Sequence, residues 1–194
     1  GEEYTLVTVS DFVLSKNPGN TVSNLSSTRA LRDITNNYKC NYESSAVGEV
    51  NVVEKMKETN AVIGGEGNGG IIYPASHYGR DALVGIALFL TQLAEKKISI
   101  KELRNSYPNY FISKNKIELT PEINVDNILS VLEKKYKEEE TTTIDGLKID
   151  FEDGWVHLRK SNTEPIIRIY AESAGEEKAN SFASKMINEI NKLI

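Results

Sequence analysis

Up to about residue 108, apolar positions recur at helical spacing, broken by short apolar runs; beyond that point the pattern changes toward strands. Residues 3–15, with Leu6, Val7, Val9, Phe12, Val13 and Leu14, read as an amphipathic helix that Pro18-Gly19 stops. Residues 21–25 form a short strand. Ser27 or Thr28 caps a helix to about Tyr38, with Arg29 and Arg32 on its surface. Residues 47–49 fall in a loop and 50–59 in a further helix. Ala61-Val62-Ile63 reads as a buried strand that runs into glycine, with Ile71-Ile72-Tyr73 apolar on the far side. Asp81 caps a helix to about Lys96. Its Leu83, Val84, Ile86, Leu88, Leu90 and Leu93 make it apolar on most sides, which predicts deep packing. Ser99–Ser106 is a short helix.

Tyr107-Pro108-Asn109 reads as a domain boundary. After it come a strand at 110–119 and a helix at 125–136 that ends in the charged run Lys134–Glu140. Strand candidates follow at 142–147 (with its Asp145-Gly146 turn), 148–151, 155–159 and 166–172. Asp153-Gly154 is a strong hairpin signal. A final amphipathic helix covers 176–193, with Phe182, Met186, Ile190 and Leu193 on one face. The fold class is therefore an α/β mixed-sheet domain, 1–108, followed by an α+β domain, 109–194, with a mostly antiparallel sheet flanked by helices. A hinge between them would let both close on one ligand.

Composition narrows the function. The net charge of -5 argues against a general nucleic-acid or anionic-membrane binder, which needs a net basic face. No run of eighteen apolar residues marks a membrane span, and no signal peptide is visible. The single cysteine, Cys40, makes no intrachain disulfide, which fits a cytoplasmic protein. The chain starts at Gly1, almost directly in helical sequence, which suggests a fragment of a longer polypeptide.

Two segments carry candidate chemistry. Arg159-Lys160-Ser161-Asn162-Thr163-Glu164-Pro165 joins two strand-like runs, and Arg168 follows on the second. Guanidinium forks, hydroxyls, an amide and turn N–H groups together suit a phosphate. The same stretch also reads as a polar hairpin tip. Gly64-Gly65-Glu66-Gly67-Asn68-Gly69-Gly70 presents one acid and one amide at a tight bend, and sugar hydroxyls need such acceptors and donors. A flexible glycine hairpin is the plain alternative. The segment is neither a dinucleotide fingerprint nor a phosphate-binding P-loop.

In this order, the two segments resemble the α-D-phosphohexomutase family of phosphoglucomutase, phosphomannomutase and phosphoglucosamine mutase. Residues 65–70 look like that family's sugar loop in its third domain, and residues 159–165 like its phosphate loop in the fourth. The resemblance implies a reversible move of phosphate between C1 and C6 of a hexose, through a bisphosphorylated sugar. It makes Glu66 and Asn68 contacts to ring hydroxyls, and Gly48 and Glu49 part of a further sugar-contacting loop. Arg159, Ser161, Asn162 and Thr163 would hold the phosphate that is not reacting. Glu49 leans toward an amino sugar. The family's phosphoserine and Mg2+ site have no counterpart here, so the resemblance implies a C-terminal portion that binds but has no catalytic residue or metal ligand of its own. A glucose 1,6-bisphosphate-type activator and the N-terminal half of the same polypeptide are the implied partners, besides the phosphosugar.

One departure concerns the end of the sugar loop. Many relatives carry Ser-Gly-His there, and this chain has Asn68-Gly69-Gly70. His77 is a secondary candidate for that histidine's part, although a structural role is the plainer reading. Arg80 reads as a phosphate contact or an ion-pair partner of Asp81, with the ion pair favoured. Arg168 reads as orienting the phosphate loop. The competing function class is a non-catalytic anion-binding or protein-interaction module, which exposed aromatics at Trp155 and Tyr170 would support.

Overall fold

Strand β1 (Thr21–Asn24) is buried at every position, so it must be covered on both faces. It pairs in parallel with β2 (Tyr42–Ser45) and β3 (Ile63–Glu66), and β4 (Gly70–Ile72) closes the sheet antiparallel to β3. The order is β2-β1-β3-β4. A computed structural model describes residues 2–120, 123–161 and 164–194 of the chain. The chain divides into two units, Gly1–Asn109 and Tyr110–Ile194, and this mixed sheet belongs to the first.

Helices cover both faces of β3. Gly64 faces α3 (Glu49–Thr59), where a Cβ would stand 2.5 Å from Met56 Sδ and 2.7 Å from the Val22 carbonyl oxygen. Gly65 points the other way, toward α1 (Glu3–Lys16), where a Cβ would stand 3.1 Å from Leu6 Cδ1. Two successive glycines in the middle of the strand thus let two helices approach its backbone closely. Met56, Val52, Val22, Ala61 and Ile72 form the core under α3. Helix α1 packs against α2 (Ala30–Asn37), α4 (Ala82–Lys96), β3 and β4. Its residues Tyr4 through Ser10 are buried, except Thr5, and so are Phe12, Val13 and Leu14; it is enclosed rather than one-sided. Helix α5 (Ile100–Asn105) follows with a complete capping box at Ser99 and Glu102.

The second unit is a five-stranded antiparallel sheet of order β5-β9-β8-β7-β6. Its strands are β5 (Phe111–Glu118), β6 (Glu140–Thr142), β7 (Leu147–Phe151), β8 (Gly154–Lys160) and β9 (Ile166–Ser173). Helices α6 (Val125–Lys135) and α7 (Glu176–Asn191) supply Ile128, Leu132, Ala183, Met186 and Ile190 to one core with Ile149, Val156, Leu158, Ile167 and Ile169. Alternation along the strands puts the polar set on the opposite face.

One strand was not expected, and three expectations are corrected. Strand β2, with the polar sequence Tyr-Glu-Ser-Ser, carries no apolar signal; it pairs at the sheet edge, where one side is open. Residues 143–146 are turn rather than strand, so β6 stops at Thr142 and β7 starts at Leu147. Arg29 is buried, at 8% exposure, not a surface residue. Helix α4 is not deeply packed: only Gly85 and Gln92 are buried, and Leu83, Ile86 and Leu90 are 78%, 54% and 56% exposed. It rests on α1 and β4 where Gly85 meets Ile71, and beside that contact Ile86, Phe89 and Leu90 of α4 line an open groove of about 240 Å³ with Thr5, Gly69 and Ile71.

Gly64→Ala forces a methyl against Met56 and the backbone of β1. Equilibrium denaturant unfolding is expected to show a loss of about 1–3 kcal/mol with an unchanged m-value. Unaltered stability would mean that α3 does not press on β3 as described.

Candidate functional site

In the first unit, β3 ends at Glu66 and β4 begins at Gly70, so the bend places Glu66 and Asn68 at the rim of the sheet. The carboxylate of Glu66 is buried, with 5% of the residue exposed. Its Oε1 accepts from Asn24 Nδ2 at 2.8 Å and from the Gly48 N–H at 3.2 Å. Gly48 reaches it with φ 121°, in the region that favours glycine. Asn24 is itself fixed: its Oδ1 accepts from the Ser26 N–H at 3.0 Å and from Ser27 Oγ at 2.9 Å, while Ser27 Oγ accepts from the Gly67 N–H at 2.9 Å. Asn24 and Ser27 were not legible as site residues, because only folding brings β1 beside β3. Burying a carboxylate is costly unless donors replace water, and this network supplies them to one oxygen. The other, Oε2, faces Arg80 Nη1 at 3.9 Å.

Asn68 is exposed at the tip. Its Oδ1 accepts from the Gly70 N–H at 3.0 Å, an Asx turn that sets the side chain, and its Nδ2 has no partner among the described residues. Glu49, the first residue of α3, accepts from the Arg80 N–H at 3.0 Å and from Arg80 Nε at 2.7 Å. These donors hold its carboxyl below the usual carboxylate range. The favoured Arg80–Asp81 pair is therefore corrected, since Asp81 pairs with His77 Nε2 at 3.0 Å and caps α4 through the Val84 N–H. His77 is exposed and held by that pair.

In the second unit, β8 and β9 flank the phosphate-loop candidate. The Ser161 N–H donates to the Ile166 carbonyl at 3.0 Å, closing the bend. Asn162 and Thr163 lie outside the described residues. Arg159 stands directly opposite Arg168, and Arg168 directly opposite Lys116. Cross-strand partners share a face, so three cations line up across β8, β9 and β5 at the loop end of the sheet. Like charges opposite one another are unfavourable, and one acid stands beside each cation of this row. Asp145 Oδ2 lies 3.7 Å from Arg159 Nη1, Glu164 Oε2 lies 3.2 Å from Arg168 Nη2, and Glu118 lies 3.8 Å from Lys116 Nζ. Lys116 escaped the sequence reading because it is 43 positions from Arg159 and only strand register joins them.

His157 lies two positions before Arg159 and is 2% exposed, and its Nε2 donates to the Asp145 carbonyl at 2.6 Å. Burial pulls its pKa from 6.5 down to about 4. Trp155 is fully buried and donates to Glu172 Oε1, and Tyr170 is half-buried, so neither is the exposed aromatic that an interaction module would offer. Among the described residues no group of three His, Cys, Asp or Glu side chains is placed to hold a metal ion, and none of them is assigned a metal. Among the described residues no helix is long and apolar enough to cross a membrane.

Two family profiles match the chain. The alpha/beta/alpha domain III of phosphoglucomutase/phosphomannomutase matches residues 1–110, and the C-terminal domain of the same family matches residues 115–189. The chain therefore belongs to the phosphoglucomutase/phosphomannomutase family. It is 36% identical over 175 residues to the phosphoglucosamine/phosphogalactosamine mutase of Sulfurisphaera tokodaii, covering 89% of this chain and 38% of that protein. It is 36% identical over 183 residues to the phosphoglucomutase/phosphomannomutase of Thermococcus kodakarensis, covering 93% and 40%. The fold matches a phosphoglucomutase/phosphomannomutase family protein of Burkholderia thailandensis with a TM-score of 0.80 at 23% identity, over 98% of this chain and 41% of that one. An N-acetylphosphoglucosamine mutase of Aspergillus fumigatus, solved with GlcNAc-6P and magnesium, matches with a TM-score of 0.65 at 16% identity, over 97% and 46%. The chain thus spans about two fifths of the length of these relatives.

The buried His157 makes the phosphate-loop unit acid-sensitive. The unfolded chain takes up the proton near pH 6.5 and the folded one near 4, so the stability is present above 6.5 and is lost as the pH falls toward 4. The loss amounts to at most about 3 kcal/mol. Unfolding followed by Trp155, the sole tryptophan, is expected to show this slope, and His157→Gln to flatten it. An equal slope in the variant would contradict the assignment.

Proposed function

We propose that the chain is the sugar- and phosphate-binding portion of a phosphohexomutase that interconverts hexose 1-phosphate and hexose 6-phosphate through a bisphosphorylated sugar. The carrying observation is the charge row Arg159–Arg168–Lys116 beside the 161–165 loop. Two guanidinium groups and one ammonium on one face offer a phosphate charge-assisted donors in exchange for their present acid partners. Arg159 and Ser161, with Asn162 and Thr163 by the family resemblance, hold the non-reacting phosphate. Glu66 offers an acceptor oxygen and Asn68 a donor amide to ring hydroxyls, with Gly48 fixing Glu66. Binding energy at the distal phosphate positions the reacting end of the sugar. Both oxygens of Glu49 are engaged by Arg80, which weighs against a direct ammonium contact and against a preference for an amino sugar on that ground.

The phosphoserine and the Mg2+ site belong, in this reading, to the remainder of a longer cytoplasmic polypeptide that a glucose 1,6-bisphosphate-type sugar activates, and this chain alone binds without turnover. The second reading, a plain anion-binding module, is favoured by the charge row alone; the two differ in whether a hexose adds affinity.

Calorimetric titration is expected to give weak binding of glucose 6-phosphate, tighter than inorganic phosphate. Arg159→Ala is expected to lower the affinity for both about 10- to 100-fold, the effect of removing a charged hydrogen-bond donor. Equal affinities in wild type and variant would reject the phosphate-loop assignment, and equal affinities for the two ligands would favour the anion-binding module.

A further inference from the structure

Arg80 is anchored with unusual completeness for a side chain that is 50% exposed. Its own backbone N–H and its Nε both donate to the two oxygens of Glu49, at 3.0 and 2.7 Å. A bridge from Arg80 to Ile72 ties its backbone to β4. Its stem crosses Gly70, where a Cβ would stand 2.8 Å from Arg80 Cδ and 3.4 Å from Cγ. The arginine lies in space that only glycine leaves open at that position. This arrangement consumes one of five guanidinium N–H groups and leaves the four on Nη1 and Nη2, with Nη1 on the Glu66 side.

We infer that Arg80 is a further substrate-contacting residue, donating from its Nη groups to a ring hydroxyl beside the one that Glu66 accepts, and that Glu49 is the residue that positions it. The inference rests on the sugar-loop reading given above. Its ligand is a neutral hydroxyl pair rather than a phosphate. Glu49, Glu66 and Arg80 sum to one net negative charge, so a phosphate dianion would meet net repulsion there. A vicinal diol instead finds a donor from Arg80 next to an acceptor on Glu66. Because Glu49 fixes both backbone and side chain of Arg80, little rotamer entropy remains to be lost when the sugar binds.

The test uses the 15N-labelled chain titrated with glucose 6-phosphate and, separately, with inorganic phosphate. Wild type is expected to shift the amides of residues 66–72 and the Arg80 Nε signal with the sugar phosphate only, and amides around Arg159 with both. Arg80→Met, which keeps the stem and removes the donors, is expected to weaken glucose 6-phosphate about tenfold and leave inorganic phosphate unchanged. Glu49→Gln is expected to cost less, and the double variant to bind like Arg80→Met alone, the non-additivity of a residue that acts through another. Arg80→Lys, with charge but no fork, should fall between wild type and Arg80→Met. If Arg80→Met binds glucose 6-phosphate as wild type does while Arg159→Ala loses it, the Arg80 contact is wrong and the function reading stands. If wild type does not distinguish the two ligands, the sugar-loop reading fails and this inference with it.

Discussion

A carboxylate sits almost out of water at the end of β3, and the first unit is arranged to make that tolerable. Glu66 is held by an amide from β1 and by a backbone N–H that a left-handed glycine before α3 brings into reach. Removing both donors would leave a buried acceptor unpaired, which is the expensive case, and removing one leaves it half-satisfied. The requirement spreads outward. Asn24 must have its own oxygen occupied by Ser26 and Ser27 so that its amide faces Glu66. Ser27 in turn ties down Gly67, the first residue of the bend. Strand pairing, cap and bend are consequences of presenting one oxygen of one acid.

The second unit solves the opposite problem. Here cations are set side by side on neighbouring strands, an arrangement that the sheet would not favour by itself. The apolar face under α6 and α7 supplies the stability, and the polar face is free to carry unfavourable charge at its loop end. His157, buried and neutral beside the row, adds no fourth charge at neutral pH.

Where the sequence was informative, the physics was local. Asp81 caps α4, Asp153-Gly154 turns β7 into β8, and Pro165 stands where β9 has not yet begun. Alternation revealed β8 and β9 because one face is covered by helices. β2 was invisible because an edge strand of Tyr-Glu-Ser-Ser needs no apolar face. Helix α4 misled because periodicity reports that a side is apolar and does not say which neighbour covers it. The same limit applied to the site. Glu66, Asn68 and Arg159 announce themselves by short motifs, whereas Asn24, Ser27 and Lys116 join them only through strand register, and the partner of Arg80 was misjudged because Glu49 is 31 positions away.

The central claim is that Glu66 keeps one oxygen for a sugar. The most direct measurement is a crystal structure of the chain grown with glucose 6-phosphate. The account predicts a ring hydroxyl within hydrogen-bond distance of Glu66 Oε2, with Asn24 Nδ2 and the Gly48 N–H still on Oε1. A sugar ring bound elsewhere, with Oε2 turned to a protein donor, would contradict it.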